Sequence, residues 1–183
     1  MDTSNAQVAY TEPWLRGTHT DVPVAGRAVL HALELALDDL TKWTAGLTDE
    51  EIHAQPLGLT PIAVHLRHIS GSTDRILTYA EGNQLSPAQL AALKAEDARE
   101  GEQETLAVLL AGLEAVFSTA AERIRALSAE DLDTRRSVGR KQLPTSLGGA
   151  LIHVADHTLR HVGQVVTTAK VLKAVRSHAQ WPL

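Results

Sequence analysis

Cysteine is absent from the chain. That excludes disulfides and thiolate metal ligands, and it fits a reducing compartment. Aromatic residues make up only 3% of the sequence, so the expected core is aliphatic and helical. No apolar run approaches the ~20 residues that a membrane-spanning helix needs. Met1 to Gln7 is polar and lacks the apolar stretch of a secretory signal. The formal net charge is −5, so no broad phosphate-binding surface is expected. Nucleic acid and membrane therefore drop out as partners, and the expected location is cytoplasmic.

With 183 residues the chain fits one domain over 1–183. An irregular N-terminal arm is expected over 1–23, where Pro13, Gly17 and Pro23 surround Trp14, and a C-terminal tail over 177–183. From Val24 to Trp43, Leu30, Leu33, Leu37 and Leu40 recur at helical spacing. Gly46 ends that helix, and Thr48-Asp49-Glu50-Glu51 reads as a capping box. A loop from Gln55 to Leu59 leads to a second long helix, with Thr60 as N-cap and Pro61 at its first position. Its stripe is Ile62, Leu66, Ile69, Ile76 and Leu77, and Glu81-Gly82-Asn83 stops it. Ser86-Pro87 opens a short helix to about Ala98.

A third long helix is expected from Glu102 to Leu127, with Leu106, Leu109, Leu113, Phe117 and Ile124 on one face. Ser128 to Pro144 is polar and non-periodic, and no strand is credible there or elsewhere. The last helix starts near Thr145 or Ser146 and runs to about Arg176, along Leu147, Leu151, Val154, Thr158, Val162, Val165, Ala169 and Leu172. Four amphipathic helices give an all-α four-helix bundle, and the stretch 81–101 leaves room for a crossover. Leu47–Ile52 and Leu127–Leu132 echo each other ahead of the second and fourth long helices, which suggests two related helix pairs.

Histidine is what the chain has in excess. There are nine, and His65, His68, His153, His157 and His161 fall in two short segments. Residues at i and i+4 of a helix lie one above the other, with Cβ atoms ~5–6 Å apart. His157 and His161 can therefore converge on one ion at ~2.0–2.1 Å, and His153 extends the same row. His65 and His68 occupy the matching flank of the second helix, with His65 closer to its apolar stripe. One of them, with the pair on the fourth helix, can meet between helices, where bundles build metal sites. The bland alternative is a set of part-buried imidazoles bonded to backbone or water. Three imidazoles without a thiolate suit Zn, Ni or Fe(II) alike.

The segments His65-Leu66-Arg67-His68-Ile69 with Asp74-Arg75, and His153 to Gln164 with its H-x-x-x-H-x-G-Q stretch, resemble the histidine motifs of the DinB-like superfamily. Those proteins are small metal-binding four-helix bundles. Pro13 to Thr18, Leu77 to Gly82 and Gly139 to Thr145 also resemble one bacterial branch of it, so the likeness spans residues 12–172. The resemblance implies an up-down-down-up bundle, with a short helix in the crossover between the second and third long helices. It implies a homodimer, and one divalent ion on His68, His157 and His161. It chooses His68 over His65. It makes His65, His153, Gln164, Asp156 and Arg160 neighbours that orient ligands or substrate, and it has Gly163 admit a close backbone. Catalytic residues are not assigned.

An ion held by three histidines keeps open positions, the mark of a catalytic site. Two enzyme readings follow: hydrolysis of a small substrate by activated water, or transfer by a low-molecular-weight thiol, as the resemblance to thiol S-transferases of the superfamily implies. The glutamate base of an H-E-x-x-H metalloprotease is replaced here by Thr158. A metal-activated thiol needs no strong protein base, which tilts the reading to transfer or detoxification. Di-iron chemistry is disfavoured, because Glu50-Glu51-Ile52-His53 lies in an expected loop and has no mate. Arg16, Arg67 and Arg160 are candidates for an anionic substrate, with solvated surface arginine as the plainer reading. A non-catalytic metal- or ligand-binding protein of the stress response stays open beside the enzyme readings.

Overall fold

The structure is a computed structural model that describes residues 10–96 and 104–179. Its helices are α1 (Val24–Thr44), α2 (Asp49–His53), α3 (Ile62–Ala80), α4 (Pro87–Ala95), α5 (Leu106–Ser128) and α6 (Leu147–Ala179). Between α5 and α6 lie two strands, β1 (Arg135–Val138) and β2 (Leu143–Ser146). The four long helices bury their apolar stripes against one another. α6 packs on α1 and α3, and α5 packs on α3 and α1. Leu33, Leu40, Leu66, Ile69, Leu113, Ile124, Leu151 and Val154 are all at most 3% exposed and form the shared centre. Each such side chain stabilises the bundle by ~1.5–3 kcal/mol relative to exposure. Among the described residues, no helix is long and apolar enough to cross a membrane.

The local signals explain most boundaries. Thr48 accepts from the Glu51 backbone N–H while the Glu51 carboxylate accepts from Thr48 N, the full capping box, and α2 is a helical turn rather than a loop. Ser86 and Gln89 make the same box at α4. Thr60 does not cap α3. Pro61 itself occupies the cap position with ψ 146°, leaving no side-chain cap. α5 starts at Leu106, later than Glu102, because Thr105 is the cap and bonds Val108 N. Residues 102 and 103, like Ala98, lie outside the described residues. The expected tail is shortened as well: α6 stays helical to Ala179, with residues 180–183 outside the description.

Two expectations fail between α5 and α6. The segment 128–146 contains an antiparallel hairpin, with Arg135 opposite Ser146 and Val138 opposite Leu143. Its four-residue strands carry no apolar alternation to betray them. Long-range bonds support them instead, chiefly Arg136 Nε to the Ala80 carbonyl at the end of α3. The echo between Leu47–Ile52 and Leu127–Leu132 also stops at sequence, because the second segment makes a turn in which Asp131 accepts from Asp133 N. The loop after it caps α6: Leu147 N donates to Thr134 O at 2.9 Å and Gly148 N to Leu132 O at 2.8 Å. A Cβ on Gly148 would sit 3.2 Å from the Leu132 carbonyl oxygen, so this close approach favours glycine.

Candidate metal centre

α3 and α6 lie side by side and run in opposite directions along the histidine seam, so His65 meets His161 and His68 meets His157. The periodicity of α6 places Val154, Thr158 and Val162 in the core and leaves His157 and His161 half-buried at its edge, facing α3. His68, His157 and His161 each bring a ring nitrogen within 4.8 Å of the others. Ring centroids are 4.6 Å apart for His68–His161 and His157–His161, and 5.1 Å for His68–His157.

The arrangement of lone pairs and protons tests whether these residues fit a metal ion. His68 Nδ1 is 2.8 Å from Glu96 Oε2; an ionised carboxylate only accepts, so the proton is on Nδ1 and the lone pair on Nε2. That Nε2 lies 3.4 Å from His157 Nε2, close to the ~3.3 Å separating two nitrogens on one tetrahedral ion at ~2.0–2.1 Å. His157 Nδ1 is buried and has no partner. With the His157 proton on Nε2, a long hydrogen bond to His68 forms and Nδ1 is a buried acceptor left bare. With the proton on Nδ1, that buried N–H is the group left without a partner, and two lone pairs face each other, the arrangement a divalent cation completes. His161 Nδ1 is 3.1 Å from His65 Nδ1; with His161 as the donor of that bond, its Nε2 carries the lone pair. Three imidazoles with a lone pair each to offer are a donor set that fits one divalent ion.

The electrostatics favour the neutral form of His65, His157 and His161, the form that ligation requires. Burial, reinforced by His161 and His68, pushes His65 down to about 4. Burial with the charges of His161, His68, His153 and Arg160 pushes His157 down to about 4. His161 is lowered by burial, His68 and Arg160, partly offset by a hydrogen bond with the Gln164 side chain and by Glu96. Burial alone would raise the Glu96 carboxyl, but hydrogen bonds from His68 and Arg75 outweigh it and hold the group below the usual carboxylate range.

The other expected residues separate clearly. His65 is 6% exposed and lies behind His161 rather than in the converging group. His153 is exposed, its ring 5.2 Å from that of His157, and its Nδ1 lies 2.8 Å from Asp156 Oδ1. Asp156 also meets Arg160 at 3.5 Å, and both are exposed. Gln164 is exposed and bonded to His161. Among the described residues of the single chain, nothing comes within 4 Å of a Cβ built on Gly163, which leaves that surface open. Arg16 pairs with Asp38 and Arg67 with Glu104, so neither is a free anion receptor. His53 bonds the Glu104 carbonyl, away from the centre.

A cavity of about 520 Å³ opens beside the cluster, lined by His68, His153 and His157 together with Tyr79, Leu93 and Val138. The hairpin closes one side through Val138 and Thr145. No carboxylate lines this cavity among the described residues. Sequence reasoning missed Glu96, which sits among several acidic neighbours with no spacing signal to single it out. It also missed a second group, His19, His31 and Glu34, whose ligand-type atoms lie within 4.8 Å of one another.

A sequence profile of the DinB superfamily matches residues 32–165. The match contains His65, His68, His153, His157 and His161 and excludes His19 and His31. No curated protein matches the chain.

Proposed function

The chain belongs to the DinB superfamily, whose members are often metal-binding, and on that premise we propose that it is a metal-dependent transferase acting with a low-molecular-weight thiol on a small electrophile. The carrying observation is the convergence of His68, His157 and His161 beside a cavity that His68 and His157 line and that no carboxylate lines among the described residues. These three would hold one divalent ion, with Zn, Ni and Fe(II) all compatible with the donors. Such an ion supplies Lewis acidity, which lowers the pKa of a coordinating thiol or water. Thr158 is buried at the place where a metalloprotease would carry its glutamate base, so the chain supplies no carboxylate base there, which would suit a thiol better than water. Ile76, Leu85, Leu93 and Ala150 give the cavity apolar walls for the electrophile, and Tyr79 offers a hydroxyl there.

Hydrolysis is the second reading, and one pair favours it. His153 lines the cavity, and its Nδ1 lies 2.8 Å from Asp156 Oδ1, a contact that favours the proton on Nδ1 and leaves Nε2 as a base for a water. We also read the bundle as up-down-down-up. Lys173 bonding Trp43 O supports parallel α1 and α6, and Arg67 with Glu104 and Arg123 with Glu81 support parallel α3 and α5.

Elemental analysis of protein purified without a nickel column, followed by a thiol panel with a chromophoric electrophile, tests the reading. One ion per chain and metal-dependent thiol consumption are expected. Ester cleavage without thiol would move the assignment to hydrolysis, and silence in both assays on metal-loaded protein would move it to metal or ligand binding.

A further inference from the structure

The short helix α4 buries none of its own residues. It lies against α3 through polar contacts, with Gln89 Nε2 donating to Asp74 Oδ2 at 2.6 Å and to Thr78 Oγ1 at 2.8 Å. At its C-cap, Glu96 is 8% exposed. A carboxylate is rarely buried so far unless it is fully paired. Both oxygens are used: Oε2 takes the proton of His68 Nδ1 at 2.8 Å, and Oε1 pairs with Arg75, itself 7% exposed and one turn beyond Gly71 on α3. A Cβ on Gly71 would overlap Glu96 Oε1 and Arg75 NH1, so the pair occupies space that glycine leaves free.

We propose that Glu96, held by Arg75, is a positioning residue for the metal centre: it fixes the ring and tautomer of His68 so that Nε2 faces His157 and His161. This rests on the three-histidine reading above. The chemistry is that of a carboxylate behind a ligating imidazole, which orients the ring and raises its basicity. The local construction of the pair gives it this role rather than a merely structural one, because the second oxygen of Glu96 is already satisfied without His68. His68 would otherwise be free to rotate, being the most exposed partner of the three, with 30% of its side chain accessible against 9% for Glu96 and Arg75.

Two readouts test it on the full chain: competition titration of zinc(II) against a chromophoric chelator, and nitrogen-15 NMR of the histidine rings in metal-free protein. Glu96→Ala is expected to weaken zinc binding by about 10- to 100-fold and to move His68 away from the Nδ1–H tautomer. Gly71→Ala is expected to act in the same sense and more weakly. Removing the carboxylate leaves Arg75 buried without a counter-charge, so Glu96→Met/Arg75→Met, which removes both charges at similar volume, is the variant to use if the single one does not fold. Zinc affinity within about threefold of wild type, with His68 still protonated at Nδ1, overturns the proposal. If wild type binds no zinc, the three-histidine reading falls, and the His68 tautomer in the two proteins decides the role of Glu96 by itself.

Discussion

Two histidine clusters in this molecule satisfy the same distance criterion and differ in where their protons are. In each, three ligand-type atoms lie within 4.8 Å of one another. In the cluster formed by the N-terminal arm and α1, Arg125 approaches His19 Nδ1 at 3.0 Å. A guanidinium only donates, so the His19 proton must be on Nε2, where it is given to Glu34 Oε1 at 2.7 Å. His31 Nε2 is bonded to Thr18 Oγ1 at 3.1 Å. Both His19 nitrogens are therefore occupied, and an ion would have to displace a working hydrogen bond. Between α3 and α6, Glu96 takes the Nδ1 side of His68 and leaves its Nε2 lone pair inward, and His65 meets the outer nitrogen of His161, whose inner one is a lone pair when His161 donates. Proximity of ligands is thus a weaker criterion than direction of lone pairs.

The largest expected effect separates the two outright. His157→Ala/His161→Ala should reduce bound metal from one ion per chain to none, measured by elemental analysis after dialysis. His19→Ala/His31→Ala should leave one ion in place. Loss of metal in the second variant with its fold intact, or retention in the first, would reverse the comparison.

The same contrast shows what could be read from the sequence. HxxxH is local, so helical period alone put His157 and His161 on one face. The choice of His68 over His65 depends on how α3 is rotated against α6, which periodicity does not resolve to one residue; the burial of His65 is what drew the apolar pattern toward it. Glu96 depends on α4 folding across α3, and His19 on the arm turning back with φ +56°. Neither contact leaves a trace in spacing. The same holds for the fold: α1, α3, α5 and α6 announce themselves by stripes of buried Leu, Ile and Val, whereas the hairpin depends on Arg136 reaching Ala80, 56 residues away.

Next in size is the thermodynamic consequence of filling one cluster. Zinc at about 100 times its dissociation constant should stabilise wild type by ~2.7 kcal/mol, measured by denaturant unfolding. His19→Ala should lower the baseline by about 1–2 kcal/mol, by taking the donor from Glu34, yet retain the same increment with zinc. Glu34 Oε2 already lacks a hydrogen-bond partner and meets only Arg16, at 4.0 Å, so this carboxylate has little left to compensate with. An increment that vanishes in this variant would mean that zinc acts through the wrong cluster.

The last effect is a pH dependence that belongs to the metal-free α3–α6 cluster. His65 and His157 are held at about 4 in the folded protein against 6.5 for an ordinary histidine. Between those limits the unfolded chain binds more protons than the folded one, so stability rises with pH. The contribution is complete above about pH 6.5 and is lost as the pH falls toward 4. One such group gives at most about 1.4 kcal/mol per pH unit, and partial solvent access of His157 makes its share smaller. Unfolding of metal-free wild type from pH 7 to pH 5 should show the decline, and His65→Gln should flatten it. Zinc-loaded protein should fall more steeply over the same range, because protonation there also releases the ion. A flat profile in metal-free protein would mean that these rings are protonated at little cost, and the inner lone pairs would then not be reserved for a cation.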